Sequence, residues 1–265
     1  MTAKATPSST SATCHPQNSI SPDSTRNGAL RLKTRTLKIN EIFYSLQGES
    51  SWAGQPCVFV RLAACNLRCQ WCDTTYSFYR GEPMSFEEIL RHVESFHCRL
   101  VELTGGEPLL QPEAVALMQE LLARNFRVML ETSGEQSIAP VPREVVKIVD
   151  VKCPSSGEAG KFHPDNLKHL APHDELKFVI ADRSDYEFAR EWIRSKAIPP
   201  EVTILFSPLF DSGQDTPFAA ASPDPLASSA TRARQLAEWV LRDHLPVKLQ
   251  TQLQKWLWGT DTRGV

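Results

Sequence analysis

The sequence predicts an α/β protein: a partial, open β/α barrel of mostly parallel strands with fewer helices than strands. Three observations point there. Short β-branched, apolar runs alternate with segments of helical periodicity, most of those runs are apolar enough to be buried on both faces, and two of the strand connections carry little helical signal. In chain order, the first strand candidate is 39–46. The polar, Gly-containing stretch SLQGESSWAGQP (45–56) joins it to the second, 58–62, in the pattern of a hairpin loop. Ser85 precedes Phe86 with Glu88 three residues on, a capping box that starts a helix over 86–97. A strand at 100–103 follows, then a helix over 112–125 with Pro112 in its first turn ahead of Glu113. Strands at 127–130 and 145–151 are each followed by segments poor in helix signal, so the sheet should carry fewer covering helices than a complete barrel. The series ends with a strand at 176–180, a helix over 186–196, a strand at 202–206 and a helix over 231–244. Parallel strands joined by right-handed crossovers set their functional loops at the carboxyl ends, and every motif below is expected at that rim.

Bulk properties narrow the function. With 265 residues, 41% hydrophobic and 23% charged, the chain can bury a core without disulfides, and a mean hydropathy of −0.30 excludes a disordered or collagen-like class. Twenty-nine Lys and Arg against 31 Asp and Glu leave a net charge of −2. That is too little cationic field to hold a nucleic acid or an anionic membrane, so the expected partner is a small molecule. No stretch approaches the roughly 18 apolar residues of a membrane helix, and the start lacks a secretory pattern, which leads to the expectation of a cytoplasmic protein. Residues 1–34 read as a disordered tail: positions 1–29 hold eleven Ser or Thr and three Pro. Residues 35–265 read as one domain with a flexible surface loop at 211–230.

Seven cysteines are too few, and odd in number, for a disulfide scaffold. Cys65, Cys69 and Cys72 stand in CNLRCQWCDT, spaced C-x3-C-x2-C, directly after the strand VFVRL. Three thiols within eight residues of one loop suit a single metal centre. The blander reading, a structural zinc site, closes with four protein ligands, and the fourth is missing locally; Cys57, Cys98 and Cys153 are the distant residues that folding could recruit. An iron–sulfur cluster is favoured because three adjacent ligands leave one metal position open to a substrate or cofactor.

On this motif the sequence resembles the radical S-adenosylmethionine superfamily. The resemblance implies a 4Fe-4S cluster on the three cysteines, with the open iron taking the amino and carboxylate groups of S-adenosylmethionine. One electron passed to the sulfonium then yields a 5'-deoxyadenosyl radical that abstracts hydrogen from a bound substrate. LTGGEP (103–108) follows the next strand. Seen alone, its glycines would simply make a tight turn. In this position they resemble the superfamily's motif for the cofactor's amino group, with Gly106 as the contact. ETSGE (131–135) and DVKCPSS (150–156) end the two strands after it and alone would be ordinary strand-to-loop transitions.

SLQGESSWAGQP, VFVRLAACNLRCQWCDT and the chain end QLQKWLWGTDTRGV together resemble the 7-carboxy-7-deazaguanine synthase family, from about Ile39 to Val265. That resemblance implies a homodimer that uses S-adenosylmethionine catalytically, Mg2+ as a second metal, and an electron donor such as flavodoxin or ferredoxin. It also implies a lyase reaction of queuosine biosynthesis: 6-carboxy-5,6,7,8-tetrahydropterin becomes 7-carboxy-7-deazaguanine by hydrogen abstraction at C6, ring contraction and loss of ammonia. Carried over residue by residue, Leu46, Gln47 and Gly48 would contact the pterin, Arg61, Thr104 and Val265 would help hold the substrate, and Thr74 would ligate Mg2+. Gly106, Ser133, Asp150, Val151, Lys152, Ser207 and Phe210 would contact S-adenosylmethionine. The chemistry is apt: an amide such as Gln47 offers a donor and an acceptor, Arg61 a planar fork for a carboxylate, and Thr74 a hard oxygen for Mg2+. Ser50 and Ala64 stand where this family usually carries Gly, and Gln254 where it commonly carries His. A glycyl-radical-activating enzyme and a zinc-stabilised binding module are the competing readings. Thr74 and the QGE loop argue against the former.

Overall fold

β1 (Thr36–Leu46) and β2 (Pro56–Leu62) form an antiparallel hairpin that pairs Leu46 with Pro56, and β3 (Glu82–Ser85) pairs antiparallel with the start of β1. They belong to a computed structural model that describes residues 35–210, 225–259 and 262–265. The expected tail, and positions 211–224 of the expected loop, lie outside the described residues. From β2 onward the sheet is parallel, through β4 (Leu100–Gly105), β5 (Arg127–Thr132), β6 (Val146–Asp150), β7 (Glu175–Ile180), β8 (Thr203–Pro208) and β9 (Lys248–Leu249). The spatial order is β3-β1-β2-β4-β5-β6-β7-β8-β9, so among the described residues β3 and β9 are the edges of the sheet and the barrel stays open, as expected.

Five helices accompany the nine strands among the described residues: α1 (Phe86–Ser95), α2 (Glu113–Ala123), α3 (Arg183–Ser195), α4 (Pro225–Arg242) and α5 (Leu253–Trp258). The capping box opens α1 as predicted, with Glu88 N donating to Ser85 Oγ at 3.3 Å and Ser85 N to Glu88 Oε2 at 2.8 Å. Pro112 stands one residue ahead of α2 rather than inside its first turn. No α-helix follows β5 or β6; short 3-10 turns at Pro154–Ser156 and Asn166–His169 connect β6 to β7 instead. The helix expected from residue 231 begins at Pro225, taking in the last six residues of the expected loop. Sequence reasoning missed β3, β9 and α5. β3 is four residues with a Pro, tolerable only at an edge; β9 spans two residues and α5 six, too short for a periodic signal.

Side chains alternate across the sheet with period two. Val58, Val60 and Leu62 of β2, Val101 and Leu103 of β4, and Val128 and Leu130 of β5 face outward into the main core with Ile89, Leu117 and Leu121 of the covering helices. All of these are fully buried, each worth about 1.5–3 kcal/mol of hydrophobic stabilisation. The inward positions differ from the expectation of apolar strands on both faces. Near the amino ends they are apolar, with Cys57, Phe59, Leu100, Met129, Val146 and Ile148 forming a second, smaller cluster. Toward the carboxyl ends they turn polar, with Arg61, Glu102, Thr104, Glu131, Asp150 and Lys177 lining a cavity.

Candidate active site

The cavity encloses about 500 Å³ between the inner sheet face, the cysteine loop and the last residues of the chain. One motif departs from the expected rim. Because β1 runs antiparallel to β2, the loop after Leu46 starts at the amino end of the parallel strands, and Leu46, Gln47, Gly48 and Glu49 reach the cavity from that opposite side.

Cys65, Cys69 and Cys72 all line the cavity on the loop that leaves β2. The loop is held by backbone bonds from Gln70 N to Ser156 O (3.0 Å), Ala64 N to Ser77 O (2.9 Å) and Glu107 N to Ala64 O (2.8 Å). Among the described residues no other cysteine lines the cavity: Cys57 and Cys153 are buried in the two apolar clusters, and Cys98 donates to Pro56 O at 3.3 Å. Nor do any three His, Cys, Asp or Glu side chains among them converge on one ion. A cube gripped at three separate corners requires no such convergence. Burial pushes all three thiols up, that of Cys72 to about 11, so they are held as thiols that an iron would have to deprotonate. Three thiol ligands with no fourth beside them fit a cluster with one open iron.

Gly105 ends β4 and Gly106 follows it. At Gly106 a Cβ would collide with the Ala64 carbonyl, so the close approach of the cysteine loop requires glycine there. Next to it, the fully buried Glu107 accepts from Ser133 N and Ser133 Oγ, both at 2.7 Å, and from Thr132 Oγ1 at 2.9 Å. Ser133 is thereby fixed at the cavity wall. Asp150 accepts from Lys152 Nζ at 2.8 Å, while its other oxygen is buried without a partner, an acceptor left open for a ligand. Three expected cofactor contacts do not line the cavity. Val151 points into the outer core, and Ser207 and Phe210 are buried on either side of Leu209, which does line it.

The floor is a charged network. Gln47 donates to Glu102 and accepts from Glu49 N at 3.1 Å. Lys177 binds Glu131 and Glu49, the latter at 3.0 Å, and Thr104 Oγ1 donates to Glu131 Oε2 at 3.3 Å. Glu49 also accepts from Gln250 (3.3 Å), Gln252 (2.9 Å) and Gln254 (3.2 Å), so one carboxylate ties the hairpin loop to the last segment of the chain. Burial opposes ionisation of Glu49, but Lys177 and the amide donors hold its carboxyl below the usual range. At Gly48 a Cβ would run into the Gln254 side chain.

Arg61 uses Nε on Glu41 at 2.7 Å and lies over Phe43 and Tyr76. Thr74 Oγ1 donates to Asp73 Oδ1 at 2.8 Å, and Asp73 Oδ2 pairs with Lys255 at 2.7 Å. Desolvation by the surrounding residues opposes ionisation, but that ammonium holds the Asp73 carboxyl well below the usual range. Arg263 stacks on Tyr76 at 3.8 Å, and Val265 lines the cavity beside it. Sequence reasoning missed Glu49, Glu102, Glu131, Lys177 and Lys255. A signal existed for the strand residues, single charges at alternate positions inside apolar runs such as LVELT and ELKFV.

A model of the Radical SAM superfamily matches residues 60–150. A 7-carboxy-7-deazaguanine synthase from Koribacter versatilis is 50% identical over 234 residues, which cover 86% of this chain and 100% of that protein. The chain belongs to the 7-carboxy-7-deazaguanine synthase family. Another family protein, from Chlorobaculum tepidum, is 43% identical over 86% of this chain and 97% of its own. The crystal structure of QueE from Escherichia coli, at 21% identity, shares the fold with a TM-score of 0.65 over 82% of this chain and 94% of that one. Against the family pattern, the two positions that usually carry Gly have left-handed backbones here: Ser50 with φ 65° and Ala64 with φ 78°. Gln254, in place of the usual His, spends its amide nitrogen on Glu49 and leaves its carbonyl buried without a partner.

Proposed function

We propose that this chain is the radical S-adenosylmethionine lyase that converts 6-carboxy-5,6,7,8-tetrahydropterin to 7-carboxy-7-deazaguanine with loss of ammonia, in queuosine and deazapurine biosynthesis. The observation that carries the proposal is the set of three cysteines facing a cavity whose opposite wall is polar and hydrogen-bonding. When bound, the cluster and S-adenosylmethionine supply one-electron cleavage and hydrogen abstraction. The chain's own residues supply the rest. Cys65, Cys69 and Cys72 would hold the cluster, the Gly106 backbone would meet the cofactor's ammonium group, and Ser133, Asp150 and Lys152 would take its polar groups.

On the substrate side, Arg61 keeps the outer edge of its guanidinium for a carboxylate. Thr74 and Asp73 offer hard oxygens to Mg2+, which would fix the substrate carboxylate and keep C6 in place. Tyr76 and Arg263, stacked on each other in the cavity lining, would limit water around the reacting carbon. A homodimer, with reduction by a flavodoxin or ferredoxin, completes the reading. The test is anaerobic incubation of reconstituted protein with the carboxytetrahydropterin, S-adenosylmethionine, a reductant and Mg2+. Formation of 7-carboxy-7-deazaguanine is expected; a preparation with intact cluster and no product would refute the proposal.

A further inference from the structure

Every cation around the cavity floor has its carboxylate. Arg61 is taken by Glu41, Lys255 by Asp73 and Lys152 by Asp150, and Lys177 serves Glu49 and Glu131, with Asp150 at 3.7 Å. Glu102 makes no ion pair with any described residue. It is 3% exposed, its Oε2 accepts from Gln47, and its Oε1 has no hydrogen bond to any described residue. The enclosed side-chain atoms left unpartnered among the described residues are Asp150 Oδ1, Arg190 Nε and Gln254 Oε1. Glu102 Oε1 is not among them because it reaches open space, and the open space beside Glu102 is the cavity.

A buried carboxyl beside Glu131 and Glu49, with no cation of its own, stays protonated. Burial first, then the Glu131 carboxylate, push its pKa well above the ordinary range. With Oε2 accepting from Gln47, the proton rests on Oε1 and points into the cavity. Gln47, expected to read the pterin edge, has its amide engaged at both ends, by Glu102 and by Glu49 N. Thr104 stands two residues further along the same inward row of β4, about 7 Å at 3.3 Å per residue, and Gly106 lies past the strand's end, which leaves room for a bicyclic ring between floor and cofactor.

We infer that Glu102 is a specificity-determining residue whose Oε1–H donates to the ring oxo group of the bound pterin. This rests on the tetrahydropterin reading of the site. The test measures dissociation constants by calorimetry on anaerobically reconstituted protein with S-adenosylmethionine. The ligands are 6-carboxy-5,6,7,8-tetrahydropterin and an analogue with hydrogen in place of the ring oxo group. Glu102→Leu should weaken substrate binding about tenfold and barely affect the analogue. Glu102→Gln, whose amide can accept from Gln47 and still donate into the cavity, should recover most of that loss. S-adenosylmethionine affinity should not move in either variant. An unchanged substrate affinity in Glu102→Leu, an equal loss for substrate and analogue, or a parallel loss of S-adenosylmethionine affinity would each overturn the assignment. Wild-type protein that binds S-adenosylmethionine but not the tetrahydropterin would instead bring down the substrate reading, and this assignment with it.

Discussion

At the scale of single residues, the site combines a rigid backbone with groups that have few substitutes. Cys69→Ala leaves two cysteines at a cavity with no other thiol among the described residues. Iron and labile sulfide after anaerobic reconstitution should fall far below wild type and turnover should vanish; full cluster content would contradict the ligand assignment. Ala64 raises a separate question. Its left-handed backbone, φ 78°, costs an L-residue about 1–2 kcal/mol, against the smaller entropic penalty of glycine. Ala64→Gly should therefore stabilise the fold by about 1 kcal/mol, which scanning calorimetry would register as a rise of about 2–4 °C in Tm. Ser50 shares the conformation, but its Oγ accepts from Trp52 N at 3.1 Å, so a glycine there would gain less.

At the scale of elements, the strands were legible because apolar β-branched runs identify themselves, and α1 because its capping box is a local signal. The charged inner face was not, since each acid or lysine is a lone exception in an apolar run and its partner lies on another strand. Lys147 of β6 is such a case on the outward face. It is 1% exposed and pairs at 2.9 Å with Asp174, the residue before β7, whose carboxylate also accepts from Lys147 N and Ala171 N. One carboxylate thus fixes the register of two neighbouring strands where no α-helix connects them. Asp174→Ala strands a buried ammonium and should cost about 3–5 kcal/mol in urea unfolding, with Asp174→Asn less harmful. A loss below 1 kcal/mol would mean that water reaches Lys147.

At the scale of the whole molecule, the open sheet leaves one side of the cavity to be closed by the last segment of the chain. The only hint in the sequence is the alternation of glutamines in QTQLQ, and nothing local says that Gln250, Gln252 and Gln254 meet a carboxylate some 200 residues earlier. Lys255 pins the same segment to Asp73 beside the cysteine loop, so it is clamped at both ends of the cavity. Its residues line the part of the cavity proposed for the substrate, whereas the expected cofactor contacts that do line the cavity stand at the ends of β4, β5 and β6. Loosening the clamp should therefore separate the two ligands. In the double variant Gln252→Ala and Gln254→Ala, calorimetry should show the tetrahydropterin bound about tenfold more weakly and S-adenosylmethionine within about twofold of wild type. Trypsin should cut sooner after Lys255, because a released segment exposes its backbone. Equal losses for both ligands would mean instead that the segment supports the whole cavity.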